Sequence, residues 1–327
     1  MIREFLPLRA VAVLLAVCGT HDLLAALAQD YPTKAVHVIE PFGAGGGPDL
    51  IARAISPKLA ELWGQPVIVE NHPGAGGTAA PALVAKSPAD GYTWLVNTSA
   101  QAYSATLVKN LPYDPLKDFI PVAPLTSQPY VLVAGKTAGI TTVAELIAAA
   151  KANPGALKFG SAGVGTGTHV GIEKFNLETG IRAIHAPGET TPAAIAEAVV
   201  GRTAYLIAPI SYALTDIRGG ALHALGVTTK KRSPLLPDVP TISEAGVAGF
   251  DYPIWYGVWV PAHTPSAVVD RLARDIGRVM AAADLRASLA EDGAEPMSMT
   301  QPEFARFVVS ESESAARIAK AAGTKPQ

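Results

Sequence analysis

Cysteine is almost absent: one residue, Cys18, among 327. It falls in the N-terminal leader, so the chain beyond it forms no disulfide and takes its stability from a packed core. Charge of either sign is sparse. The formal net charge is −2, and no long run of Lys or Arg occurs. That excludes the clustered cations that nucleic-acid binding requires. Beyond the leader no stretch is apolar enough to span a bilayer. Signatures of catalysis are missing too. There is no His-Glu-x-x-His, and the histidines lack metal-ligand spacing. Gly163-Val164-Gly165-Thr166-Gly167 lacks the full spacing of a dinucleotide loop, and Tyr130 stands where a P-loop ending at Gly135-Lys136-Thr137 needs its leading glycine. Phe159 occupies the first glycine position of a nucleophile elbow around Ser161. No nucleophile–base pair, metal cluster or cofactor motif is visible. The expectation is a protein without catalytic residues, metal or cofactor.

What is present begins with a targeting segment. Arg3 and Arg9 precede the apolar run Ala10–Cys18, and Ala26-Leu27-Ala28 is a small-x-small cleavage site. Cleavage after Ala28 would start the mature chain at Gln29. His21 and Asp22 interrupt the apolar stretch, leaving it too short for a membrane span. Cys18 raises a lipoprotein alternative, but Val17 is larger than the residue usual before a lipidated cysteine. The expected location is the periplasm, and the remaining length, roughly 300 residues, suits two lobes.

Short β-rich runs alternate with helical patterns, which reads as α/β. Strands are expected at Val36–Glu40, Pro66–Glu70, Tyr92–Asn97, Val131–Ala134, Leu157–Ser161, Ala183–His185, Ala204–Ala208 and Ala221–Val227. Helices are expected at Asp49–Leu62, Thr78–Ala85, Val143–Lys151, Val170–Thr179 and Ala193–Val200. The first carries Leu50, Ile51, Ala54, Ile55 and Leu59 on one face. Pro48 suits its first turn and Pro57 should kink it. Ser266–Met280 and Gln301–Ala322 read as longer amphipathic helices. Two extended segments, Pro121–Val133 and Pro253–Val260, are placed to cross between lobes as a double-crossover hinge. Lobe one is then 29–126 with 252–327, and lobe two 127–251, with a ligand cleft between them.

Two glycine-rich turns each join a strand to a helix: Phe42-Gly43-Ala44-Gly45-Gly46-Gly47 and Ser161–His169. Such corners present backbone N–H groups and the positive end of a helix dipole to an anion. In the first, Phe42, Gly43, Ala44, Gly45 and Gly46 are candidate ligand contacts, and Asp49 is structural before it is ligand-facing. In the second, Ser161, Gly163, Gly165 and Thr166 are candidates, with Thr166 or Thr168 as a helix cap. His169 is either a ligand donor or a structural first-turn residue. Gly74-Ala75-Gly76-Gly77 ranks below both. Asn97, Thr98 and Ser99 end a strand, where ligands of open α/β sheets lie. For Trp255, Tyr256 and Trp259 core packing is the default, with Tyr256 an alternative cleft wall. Two corners facing each other suggest two lobes closing on one small organic acid. A micromolar complex needs about 8 kcal/mol. A helix end contributes roughly 0.3–2 kcal/mol and a hydrogen bond to a charged group about 1.5–3 kcal/mol, so one lobe alone falls short.

The residues Tyr31-Pro32-Thr33-Lys34, Pro41–Asp49, Gly64-Gln65-Pro66-Val67, Val69–Gly77, Asp90-Gly91-Tyr92-Thr93, Ser161-Ala162-Gly163, Lys231-Arg232-Ser233-Pro234 and Leu236–Gly246 together resemble the Bug family. These are extracytoplasmic solute receptors of tripartite tricarboxylate transporters, and the resemblance spans essentially the whole mature chain. It implies a type II periplasmic-binding-protein fold. It also implies a carboxylate gripped by the two corners, Phe42–Gly47 and Ser161–His169, partly through water, and membrane permease subunits as partners. A monomer is expected. Ala186-Pro187-Gly188 stands where family members often have Tyr-Lys-Gly or Tyr-Arg-Gly, and Ala204 where they often have an acid. Those losses count against amino-acid and highly charged ligands. A sensor subunit presenting its ligand to a membrane kinase, or an exported enzyme for a phosphorylated or acylated compound, are the other readings.

Overall fold

A computed structural model describes residues 31–74 and 77–324. The leader, with its cut after Ala28, the lipoprotein alternative at Cys18, and Ala75-Gly76 of the third glycine turn lie outside the described residues. Among the described residues no helix is long and apolar enough to cross a membrane.

The chain starts as a parallel β/α unit. Strand β1 (Val36–Glu40) lies between β2 (Val67–Asn71) and β3 (Thr93–Thr98). Helix α1 (Gly47–Trp63) follows β1, with Gly46 as an extended N-cap, Pro48 in the first turn and Gly64 closing the helix in the left-handed region. It runs on through Pro57 and buries Ile51, Ala52, Ile55 and Leu59. Leu50, expected on that face, is instead 46 % exposed, because the buried stripe is centred one position further along. Helices α2 (Ala79–Ala85) and α3 (Ala100–Leu107) flank β3.

The organising element is β4, which spans 17 residues, Phe119–Gly135. Residues 119–129 pair antiparallel with the return strand β9 (Pro253–Pro261), which itself pairs with β3. From Tyr130 onward β4 pairs with β7 (Tyr205–Pro209) on one side and, from Val131, with β8 (Leu222–Val227) on the other. Its register against β9 shifts between Pro121 and Ala123 and again between Pro124 and Ser127. A proline cannot donate to the ladder, so bulges gather where prolines interrupt it. The second half-sheet continues from β7 to β5 (Lys158–Ser161) and β6 (Ile184–Pro187), both parallel. A two-residue strand, β10 (Glu295–Pro296), pairs with β4. One continuous sheet thus carries two α/β halves that share β4, with β9 paired to β3 and to residues 119–129 of β4.

Helices α4 (Val143–Ala152), α5 (Gly167–Thr179) and α6 (Thr191–Val199) serve the second half, with α7 (Ile210–Arg218) after β7. The C-terminal helices are α8 (Ser266–Met280), α9 (Ala283–Glu291) and α10 (Gln301–Ala322). Helix α10 packs on α3, β4 and α5, so it touches both halves. Its Phe304 and Phe307 meet Trp255 of β9 edge-on. Glu311 accepts from the Tyr103 hydroxyl at 3.0 Å and the Trp255 indole at 2.9 Å. Burying these amphipathic rings with their polar tips paired fixes α10 against the crossing strand.

Candidate functional site

The first corner is held by its own carboxylates. Glu40, fully buried at the end of β1, accepts the Phe42 N–H at 2.9 Å and the Asn71 amide. Asp49, 2 % exposed, accepts the Gly45 N–H at 2.8 Å, the Arg53 Nε at 2.8 Å and the Asn71 amide at 2.8 Å. Gly46 N–H turns back to the Gly43 carbonyl at 3.0 Å. The N–H groups of this turn are thus divided. Phe42, Gly45 and Gly46 have spent theirs inside the protein. The Gly43, Ala44, Gly47 and Asp49 N–H groups have no partner among the described residues. Burial pushes the Glu40 carboxyl up to about 7, against the Phe42 and Asn71 donors. Burial also opposes ionisation of Asp49, but the Arg53, Gly45 and Asn71 donors outweigh it and hold that carboxyl below its ordinary value.

The second corner satisfies itself in the same manner with neutral groups. Ser161 Oγ accepts the Gly163 N–H at 3.1 Å, and Thr168 Oγ1 accepts the Ala162 N–H at 2.9 Å. Thr166 is the N-cap of α5: its hydroxyl donates to the Gly163 carbonyl at 2.7 Å and accepts the His169 N–H at 3.4 Å. His169 Nδ1 accepts the Gly165 N–H at 3.4 Å, which assigns the proton to Nε2, 3.6 Å from the Glu173 carboxylate. The Val164, Gly167 and Thr168 N–H groups have no partner among the described residues. His169 is 2 % exposed and stacks on His185 at 4.1 Å between centroids, and His185 stacks on Phe159 at 4.8 Å.

Ser161 Oγ lies 2.6 Å from His185 Nε2, a serine–histidine contact where none was foreseen. The two sit 24 residues apart on the neighbouring strands β5 and β6. Burial, and then the adjacent His169, lower the His185 pKa to about 3. A base that weak accepts little proton from a hydroxyl near neutrality, and Ser161 is itself fully buried. The contact braces the turn.

Both corners open onto one cavity of about 90 Å³ between the halves, room for a handful of water-sized groups. Of the candidate contacts, Phe42, Asn97, Thr98, Gly165 and Thr166 line it. Gly43, Ala44, Gly45, Gly46, Ser99, Ser161, Gly163 and His169 are not part of the lining and shape the turns beside it. The helix starts themselves, Gly47 and Gly167, line the cavity and were missed. Their signal lay in packing. A Cβ on Gly47 would lie 2.3 Å from the Tyr256 hydroxyl, and one on Gly167 2.2 Å from the Tyr130 hydroxyl. Each helix therefore presses its first residue against a tyrosine of a crossing strand, and only glycine permits that approach. Tyr256 walls the cavity, as its alternative reading allowed.

The halves meet around the cavity. The position of a Cβ on Gly46 is 3.1 Å from the Tyr212 hydroxyl of α7, and one on Gly165 is 3.1 Å from Val108 after α3. No charged side chain lines the cavity among the described residues. Ala186 and Pro187 line a separate hollow with Glu189 and Arg202, and Ala204 is not part of the cavity lining.

A family profile described as "Tripartite tricarboxylate transporter family receptor" matches residues 51–324. Protein BugT of Bordetella pertussis is 32 % identical over 320 residues, covering 97 % of this chain and 98 % of its own. Rpa4515 of R. palustris, solved with adipate, is 32 % identical with a TM-score of 0.82, over 91 % of this chain and 100 % of that one. MatC of Rhodopseudomonas palustris, solved with malate, is 31 % identical with a TM-score of 0.77, over 88 % and 99 %. The periplasmic-binding-protein fold expected from the sequence is thereby confirmed. The chain belongs to the tripartite tricarboxylate transporter family of receptors, with Bug proteins among its relatives.

Proposed function

We propose that the protein is a periplasmic receptor that captures one small organic carboxylate between its halves and delivers it to the membrane permease subunits of a tripartite tricarboxylate-type transporter. The observation that carries this reading is the pairing of two helix starts, Gly47 and Gly167, on one cavity that no charged side chain lines among the described residues. Their unpartnered N–H groups are the donors for the carboxylate, as the resemblance to receptors solved with adipate and malate supports. Lobe one is 29–126 with 252–327 and lobe two 127–251. Bending of β4 and β9 between them admits the ligand, and the closed form is favoured because only there do both helix ends reach it. Phe42, Asn97, Thr98, Gly165 and Thr166 contact the ligand. Gly43, Ala44, Gly45, Gly46, Ser99, Ser161, Gly163 and His169 hold those contacts in place. The receptor acts as a monomer without cofactor, exported by a leader cut after Ala28.

Native mass spectrometry of the protein taken from its own periplasm tests this. The expected result is a monomer carrying an intact organic acid that is released unchanged. Conversion of the acid on incubation would refute a purely binding role. Uptake assays in a deletion strain separate delivery to a permease from presentation to a membrane kinase.

A further inference from the structure

We propose that Gln101 selects the ligand. Its side-chain N–H donates to a neutral oxygen acceptor on an otherwise apolar monocarboxylate. This rests on the receptor reading and names the ligand class of the same cavity.

The orientation of Gln101 is fixed by a relay of hydrogen bonds. The Thr98 N–H donates to Asn97 Oδ1 at 2.7 Å. Asn97 therefore turns its Nδ2 outward, and that group donates to Gln101 Oε1 at 3.1 Å. An amide that presents its oxygen to Asn97 must present its NH2 to the other side. Gln101 lines the cavity, is 1 % exposed, and its Nε2 is buried with no hydrogen-bond partner. A buried donor left unpaired costs free energy that a bound acceptor would recover.

The acceptor is neutral because the cavity offers nothing to balance a second charge. The lining holds no Lys, Arg or His among the described residues. One carboxylate can take the two helix ends, but another would be desolvated with only a neutral donor for company. The body of the ligand is apolar because the walls of the cavity include Val108, Tyr113, Tyr212, Ile254 and Tyr256. A site built to satisfy a buried donor rejects the analogue that lacks the acceptor.

Calorimetry with two matched pairs tests this: 4-hydroxybenzoate against benzoate, and 5-oxohexanoate against hexanoate, with adipate and malate as dicarboxylate probes. The expected result is that in at least one pair the acceptor-bearing member binds tenfold or more tighter. Gln101→Met should shrink that ratio to about twofold while leaving the acceptor-free member within threefold of wild type. Gln101→Leu likewise removes the NH2 at similar volume, so it should shrink the same ratio even if the Met variant folds poorly. Tighter binding of adipate or malate than of every monocarboxylate overturns the inference, as does equal weakening of both members of a pair. Those results leave the receptor reading standing. Failure of all six probes to bind overturns both.

Discussion

Replacing Gly47 by alanine perturbs the site at its closest approach. The added Cβ would fall 2.3 Å from the Tyr256 hydroxyl, 2.8 Å from its Cζ and 2.9 Å from its Cε1. Ordinary contact needs more than 3.4 Å, so one partner must retreat by about 1 Å. The ring has little freedom. Tyr256 is 1 % exposed on β9, and its hydroxyl donates to Gln128 at 3.3 Å. The start of α1 is the softer partner, so its Gly47 and Asp49 N–H groups move away from the cavity. Overpacking of this kind costs about 1–3 kcal/mol of stability. Losing one hydrogen bond to a carboxylate costs about 1.5–3 kcal/mol of binding, a ten- to hundredfold rise in Kd.

Tyr256→Phe removes the nearest atom of the clash but leaves the ring carbon. The double variant should therefore recover about tenfold of the lost affinity without reaching wild type. Isothermal calorimetry with a carboxylate that the wild type binds, alongside thermal denaturation, reads both terms. Affinity of the single variant within twofold of wild type, or a double variant weaker than the single, would refute the assignment of α1 as a ligand-binding helix end.

Thr166→Val keeps the shape of the side chain but removes the α5 cap and the bond to the Gly163 carbonyl, and should weaken binding tenfold or more by calorimetry. Gly45→Val should weaken it similarly, through strain rather than crowding: a Cβ there meets nothing within 4 Å, but φ is +82°, which costs about 1–2 kcal/mol for a residue with a Cβ. The His185 pKa, lowered to about 3 from 6.5, means that the unfolded chain takes up its proton first on acidification. Its contribution to stability is present above pH 6.5 and declines as the pH falls towards 3, by at most about 1.4 kcal/mol per pH unit. His185→Gln should flatten that part of a Tm–pH curve. Glu40, raised from 4.5 to about 7, acts in the opposite sense: its contribution is full below pH 4.5 and gone above about 7, and Glu40→Gln should remove the decline between those limits.

The sequence made the repeating β/α units legible because their signals are local. Helices α8 and α10 span the predicted residues, and β1 does too. Helices α3, α7 and α9 were not foreseen. α3 and α7 start directly where β3 and β7 end, with no glycine or side-chain cap to announce them. The long strand β4 was expected as an extended crossing segment, Pro121–Val133, with a strand at Val131–Ala134; in the fold one strand runs through both, and its prolines mark bulges. The corners were visible as glycine turns. Which glycines mattered was not, because Gly47 and Gly167 are constrained by tyrosines 209 and 37 residues away in sequence. The Asn97–Gln101 relay combines a strand end with a helix turn that had not been predicted, so Gln101 carried no signal of its own.

The internal carboxyl acceptors of the first corner bear on how a charge-free cavity can bind an anion at all. Glu40 and Asp49 occupy the N–H groups of Phe42 and Gly45. In the second corner Ser161, Thr168 and His169 do the same for Gly163, Ala162 and Gly165. The turns are therefore fixed by bonds within the protein, and the ordering of flexible glycines is not charged against binding. What remains at each helix start is a pair of N–H donors with no partner among the described residues, Gly47 and Asp49 in α1 and Gly167 and Thr168 in α5. Any cation lining the cavity would add affinity for every anion alike. Neutral donors at fixed positions reward only a carboxylate that reaches both helix starts at once, so discrimination passes to the rest of the ligand and to the residues around Gln101.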